Sequence, residues 1–266
     1  MRKILLFCAM ICAVAFALPN CYEINKIEKK SEINEAVFVL IDETTPFNEP
    51  LKEQVVNNAL RFAQAGNYVF VGKFSAFLQG RYNEVLFDFA LDTPLSDEER
   101  YDLNKNTLAK FDKCLKDQVN FVKKTMSEKI NGAFLKEGDQ VAKSDIFYAL
   151  KDFAANSIAP KEAKNKIVIL ASDMLENSSV TSFYTKGAPR LIDGKKELGI
   201  LEKNDLFTDF TGAKIYIVGA GLSEGKKSYV SPQILNSLSA FWGEYFTKSN
   251  ATLVEMGTPT LKREVK

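Results

Sequence analysis

Apolar runs of strand length recur along the chain, each closing on a polar or glycine turn. Ala36–Ile41 is apolar throughout and stops at Asp42; Lys166–Ala171, apolar from Ile167, stops at Ser172-Asp173; Ala213–Val218, apolar apart from Lys214, runs into Gly219-Ala220-Gly221. Runs apolar at successive positions suit strands buried on both faces, as in a parallel sheet covered by helices. Between them the period changes. Over Asn48–Ala65, Leu51, Val55, Ala59, Phe62 and Ala63 recur at helical spacing, with Pro50 in the first turn and Gly66 past the end. Residues 98–129 read as one long amphipathic helix through Leu108, Phe111, Leu115, Val119, Val122 and Met126. Further helices are expected over Ser144–Ser157 and Pro232–Phe246, and a last strand over Ala251–Glu255.

Tyr68–Phe74 and Glu84–Leu91 read as two strands joined by a short link containing Gly80, which suits an antiparallel pair better than a crossover. Strands alternating with helices predict an α/β fold: a doubly wound, mostly parallel sheet with one antiparallel edge strand and helices on both faces. Residues 176–212 read as the longest irregular segment. The aromatic stripe Phe241, Trp242, Tyr245 and Phe246 reads as core, and Gly219-x-Gly221 as a tight turn rather than a dinucleotide loop, because no helix opens directly after it.

The amino terminus changes the picture of where this fold works. Arg2 and Lys3 precede an uncharged run, Ile4–Ala17, which is short for a membrane span and ends in the small pair Ala15-x-Ala17. The pattern predicts a secretory signal peptide over 1–17, a lead over 18–35 and one domain over 36–266. The exported chain is then periplasmic or secreted, with no stable membrane span after signal removal. Leu18-Pro19-Asn20 before Cys21 shares only its leucine with a lipobox, so a lipoprotein is not expected. Removing 1–17 leaves 33 basic against 34 acidic residues and two cysteines, Cys21 and Cys114, which an oxidising compartment would pair.

Composition then narrows the chemistry. The 266 residues include no histidine, which excludes Ser-His-Asp and Cys-His catalysis and every histidine-ligated metal site. With 35 Lys+Arg against 34 Asp+Glu and no basic stripe, nucleic acid is not an expected partner. What remains are oxygen ligands. In a doubly wound sheet, ligands bind beyond the carboxyl ends of the strands where the order reverses. Asp42-Glu43-Thr44-Thr45-Pro46, Ser144-Asp145 and Ser172-Asp173 should meet there, a donor set suited to Mg²⁺ or Mn²⁺.

Asp42-x-Thr44-x-Pro46 after the first strand, Ser144 before a helix and Asp173 after the fourth strand together resemble the von Willebrand factor type A (VWA) family, over about residues 36–257 in element order. That family has a doubly wound, Rossmann-like fold and a metal-ion-dependent adhesion site, whose ion is completed by a partner carboxylate. The resemblance implies Asp42, Thr44, Ser144 and Asp173 as metal ligands and a protein as partner. Pro46 departs from the pattern: it stands where the family's second serine supplies an oxygen. Two states of the site follow, a cation-binding one and a degenerate one on the retained fold, the latter belonging to a structural or envelope-assembly protein. A different class is also open. Asp42 with Thr45 nearby resembles the nucleophile loop of haloacid-dehalogenase phosphohydrolases, in which Asp42 would attack phosphorus while Asp173 and Glu176 hold Mg²⁺.

Overall fold

The computed structural model describes residues 20–28, 32–78, 81–134, 144–222 and 230–266. The expected signal peptide at 1–17, with Cys8 and Cys12, and the link residue Gly80 lie outside the described residues. Strand β1 (Glu35–Asp42) is buried along nearly its whole length, as its unbroken apolar run requires, and it forms the centre of the sheet. It pairs in parallel with β2 (Tyr68–Leu78) on one side and with β4 (Asn165–Ala171) on the other. Beyond β2 lies β3 (Arg81–Ala90), antiparallel to it. Beyond β4 lie β7 (Ala213–Val218) and β8 (Ala251–Met256), both parallel, so the order is β3-β2-β1-β4-β7-β8. The predicted α/β sheet with one antiparallel edge is observed.

Alternate residues of β1 feed two cores. Phe38 and Leu40 pack with α5 (Ile146–Phe153), α6 (Gly194–Lys203) and α7 (Pro232–Lys248), where Phe241, Trp242, Tyr245 and Phe246 are buried as expected of a core stripe. Val37, Val39 and Ile41 pack with α2 (Glu49–Leu60) and α4 (Lys105–Ala133) on the opposite face. The segment after β8 runs down that second face, where Leu261 and Val265 are buried and the Gln54 side-chain amide both donates to and accepts from the Leu261 backbone, at 3.0 and 2.9 Å.

Several boundaries differ from the sequence reading for local physical reasons. The helix expected over 98–129 is two: α3 (Asp97–Tyr101), started by a Ser96–Glu99 capping box, and α4, restarted by Asn104, whose side chain accepts from Thr107 N. Polar caps interrupt an apolar period that continues across them. The segment 176–212 is not irregular throughout; it holds a small hairpin, β5 (Tyr184–Thr185) with β6 (Ala188–Pro189), and helix α6. Gly194 and Gly199 weaken the helical signal of α6, which is held by burial of Leu198 and Leu201. The polar lead contains a short helix, α1 (Cys21–Asn25), capped by Asn20. Cys21 and Cys114 form a disulfide, joining α1 to α4 around a satellite core of Tyr22, Leu95, Phe111 and Leu115. Among the described residues no helix is long and apolar enough to cross a membrane.

Candidate functional site

The chain leaves β1 to build β2 and β3 on one side, then crosses to β4 on the other, so the order reverses between the carboxyl ends of β1 and β4. Asp42 ends β1 and Ser172 follows β4 at this point. Asp42 is fully buried, and each carboxylate oxygen accepts two hydrogen bonds. Oδ1 accepts from Thr44 N at 3.0 Å and Thr44 Oγ1 at 2.6 Å. Oδ2 accepts from Ser172 Oγ at 2.8 Å and Ser144 Oγ at 3.2 Å. Three chain segments therefore converge on one carboxylate. No lysine or arginine forms an ion pair with it among the described residues. Burial pushes its carboxyl above the usual aspartate range, against the lowering effect of these hydrogen bonds.

Asp173 stands beside this cluster. Its backbone N donates to the buried Thr45 Oγ1 at 3.3 Å, and its Oδ1 accepts from Leu175 N at 2.8 Å. Thr45 thus has an oxygen at the site, directed to the Asp173 backbone, whereas Pro46 is exposed at the surface of the loop. Glu43 Oε2 lies 2.7 Å from Lys73 Nζ, so the carboxylate next to Asp42 carries its own counter-charge. Gly219, with φ +97°, makes the tight turn beside the site, where an added Cβ would lie 2.4 Å from the Phe47 ring.

Of the four residues expected to act together, Thr44 and Ser144 touch Asp42 directly; Asp173 meets the Thr45 hydroxyl through its backbone N, while its Oδ1 accepts from Leu175 N. Ser144 is not a helix cap: α5 begins two residues later, and the Ser144 hydroxyl reaches back to Asp42. Ser172 is the contributor not counted among the four, although its place directly after an apolar strand adjacent to β1 was a usable signal. Glu176 is not in the cluster; it is buried against α5, with Oε2 accepting from Phe147 N at 3.2 Å. In the phosphohydrolase alternative Asp42 would attack phosphorus while Asp173 and Glu176 hold Mg²⁺; here Asp42 is fully buried and Glu176 Oε2 accepts from Phe147 N. Among the described residues no group of three or more His, Cys, Asp or Glu side chains is placed to hold a metal; the oxygens gathered here are mainly hydroxyls.

No family model matches the sequence, and no curated protein matches it. Among solved structures, the open conformation of the pilus adhesin SpaC from Lactobacillus rhamnosus GG aligns at 10% identity with a TM-score of 0.39. The alignment covers 87% of this chain and 29% of the adhesin, so the chain spans under a third of that protein's length.

Proposed function

We propose that this chain is an exported, non-enzymatic VWA-like binding module that takes a divalent cation, Mg²⁺ or Mn²⁺, at Asp42, Thr44, Ser144 and Asp173. The observation that carries this reading is the convergence of the Thr44, Ser144 and Ser172 hydroxyls on a buried carboxylate that has no basic partner among the described residues. A buried carboxylate binds a proton or a cation more readily than one in water, since desolvation penalises its lone charge. Every donor is oxygen, the ligand type hard cations take. The bound ion would supply a positive centre open to a partner carboxylate. Asp42 would contribute buried charge, Ser172 would keep that carboxylate oriented, and the partly exposed Thr44 and Asp173 would lie on the solvent side. The Cys21–Cys114 disulfide and the charged, then apolar, amino terminus support export.

Calorimetric titration of Mg²⁺ and Mn²⁺ into the protein and its Asp42→Ala and Asp173→Ala variants tests the site. Binding by wild type that is lost in both variants, with no turnover of a phosphate ester, is the expected result. Absence of binding to wild type rejects the cation mechanism, and Asp42-dependent turnover rejects the non-enzymatic reading.

A further inference from the structure

Helix α5 lacks a cap of its own. Asp145 occupies the N-cap position without a side-chain cap hydrogen bond. The buried backbone donor of Phe147 in the first turn is satisfied from 29 residues away, by Glu176 Oε2 accepting from Phe147 N. The neighbouring backbone is joined in the same place: Asn177 N donates to Ser144 O at 3.1 Å, forming an isolated antiparallel bridge. Glu176 and Asn177 therefore grip both sides of Asp145, the residue between Ser144 and the first turn of α5. Ser144 in turn donates to Asp42. Glu176 is fully buried, and its Oε1 has no hydrogen-bond partner among the described residues. Burying a carboxyl with one oxygen unsatisfied is costly, and it is Glu176 that meets the first turn of α5, since Asp145 at the N-cap position makes no cap hydrogen bond.

We propose that Glu176 is a positioning residue: by holding Phe147 N–H it sets the approach of α5 so that Ser144 reaches Asp42. Its effect on cation affinity rests on the function proposed above; its effect on Ser144 does not. Ser144 has a short hydroxyl and no reach to spare, so a displacement of the α5 entry by one side-chain bond would break its 3.2 Å contact with Asp42.

The test compares Glu176→Gln, Glu176→Leu and Glu176→Asp in the otherwise unaltered chain, reading amide hydrogen exchange at Phe147 and Asn177 together with Mn²⁺ titration. Gln keeps the acceptor, so exchange and affinity should stay within about threefold of wild type. Leu removes the acceptor and Asp withdraws it by one methylene. Both should speed exchange at Phe147 and at the Asn177–Ser144 bridge, and weaken Mn²⁺, by about tenfold, the factor for loss of one hydrogen bond. If the leucine variant does not fold, the aspartate variant carries the comparison. Unchanged exchange at Asn177 in a folded Leu or Asp variant overturns the proposal, as does a lower melting temperature with the Asn177 bridge intact. If wild type binds no Mn²⁺, the cation reading fails by itself and the exchange data still decide the role of Glu176.

Discussion

Ser172 Oγ donates to Asp42 Oδ2 across 2.8 Å, tying the carboxyl ends of two adjacent parallel strands that are 130 residues apart in the chain. The bond lies at the reversal of strand order, where the backbone of a doubly wound sheet parts and side chains must close the gap. Ser144 approaches the same oxygen from a third segment. The site is thus a junction of the fold as well as a candidate for binding.

Replacing Pro46 by serine should strengthen cation binding. Pro46 is exposed in the loop that carries Thr44, and a serine there adds one oxygen to an oxygen-only donor set. Mg²⁺ affinity is expected to rise by about tenfold with stability within about 1 kcal/mol of wild type. Calorimetry on Pro46→Ser, and on the same change combined with Asp42→Ala, checks this; the gain must vanish in the double variant.

Stability should fall as pH rises from about 5 to 8. Burial pushes the Glu176 carboxyl up to about 8 from an ordinary value of 4.5. Between those values the folded protein holds a proton that the unfolded chain has released, so each added pH unit favours unfolding. The expected slope from this group is about 1 kcal/mol per pH unit, and Glu176→Gln should remove it. Urea midpoints measured across the range read the slope directly, and an equal slope in the glutamine variant would assign the effect elsewhere.

Breaking the Cys21–Cys114 bridge should destabilise the protein by up to about 4–5 kcal/mol, the chain-entropy value for so long a loop. Its two cysteines are 93 residues apart, and α1 packs on α4 chiefly through Tyr22 and Phe111. Cys114→Ser is expected to lower the unfolding midpoint and to open the region of α1 to proteases before the sheet unfolds. Limited proteolysis followed by mass mapping distinguishes that order from a uniform loss.

Trp242→Phe should cost about 2–3 kcal/mol. The indole Nε1 donates to Met174 O at 3.0 Å inside the core, and Met174 holds a left-handed φ of 61° just after the site loop. Phenylalanine leaves that carbonyl unpaired and a small void beside it. Trp242 is the chain's single tryptophan, so circular dichroism rather than fluorescence must report unfolding of the variant. A loss below about 0.5 kcal/mol would show that Met174 finds another donor.

The strands were readable because their signal is local. Ala36–Ile41, Ile167–Ala171 and Ile215–Val218 are buried on both sides, so each residue individually has to be apolar. The helices were readable as periods but not at their ends. Asn104 stops and restarts an apolar stripe that runs on past it, and Gly194 and Gly199 dilute a helix whose stability comes from what Leu198 and Leu201 bury.

The site divides in the same way. Position relative to the apolar runs was enough to place Asp42, Ser144 and Asp173 at one edge of the sheet, and an absent histidine restricted their chemistry to oxygen. Which oxygen meets which was decided by tertiary structure. Ser172 rather than Asp173 faces Asp42, the Thr45 hydroxyl turns to the Asp173 backbone, and Glu176 leaves the cluster to cap α5. Those choices depend on loop torsions and on side chains far apart in sequence that compete for the same few buried donors and acceptors. Hydrophobic pattern is a property of each segment alone, whereas pairing among buried polar groups exists only once the segments have met.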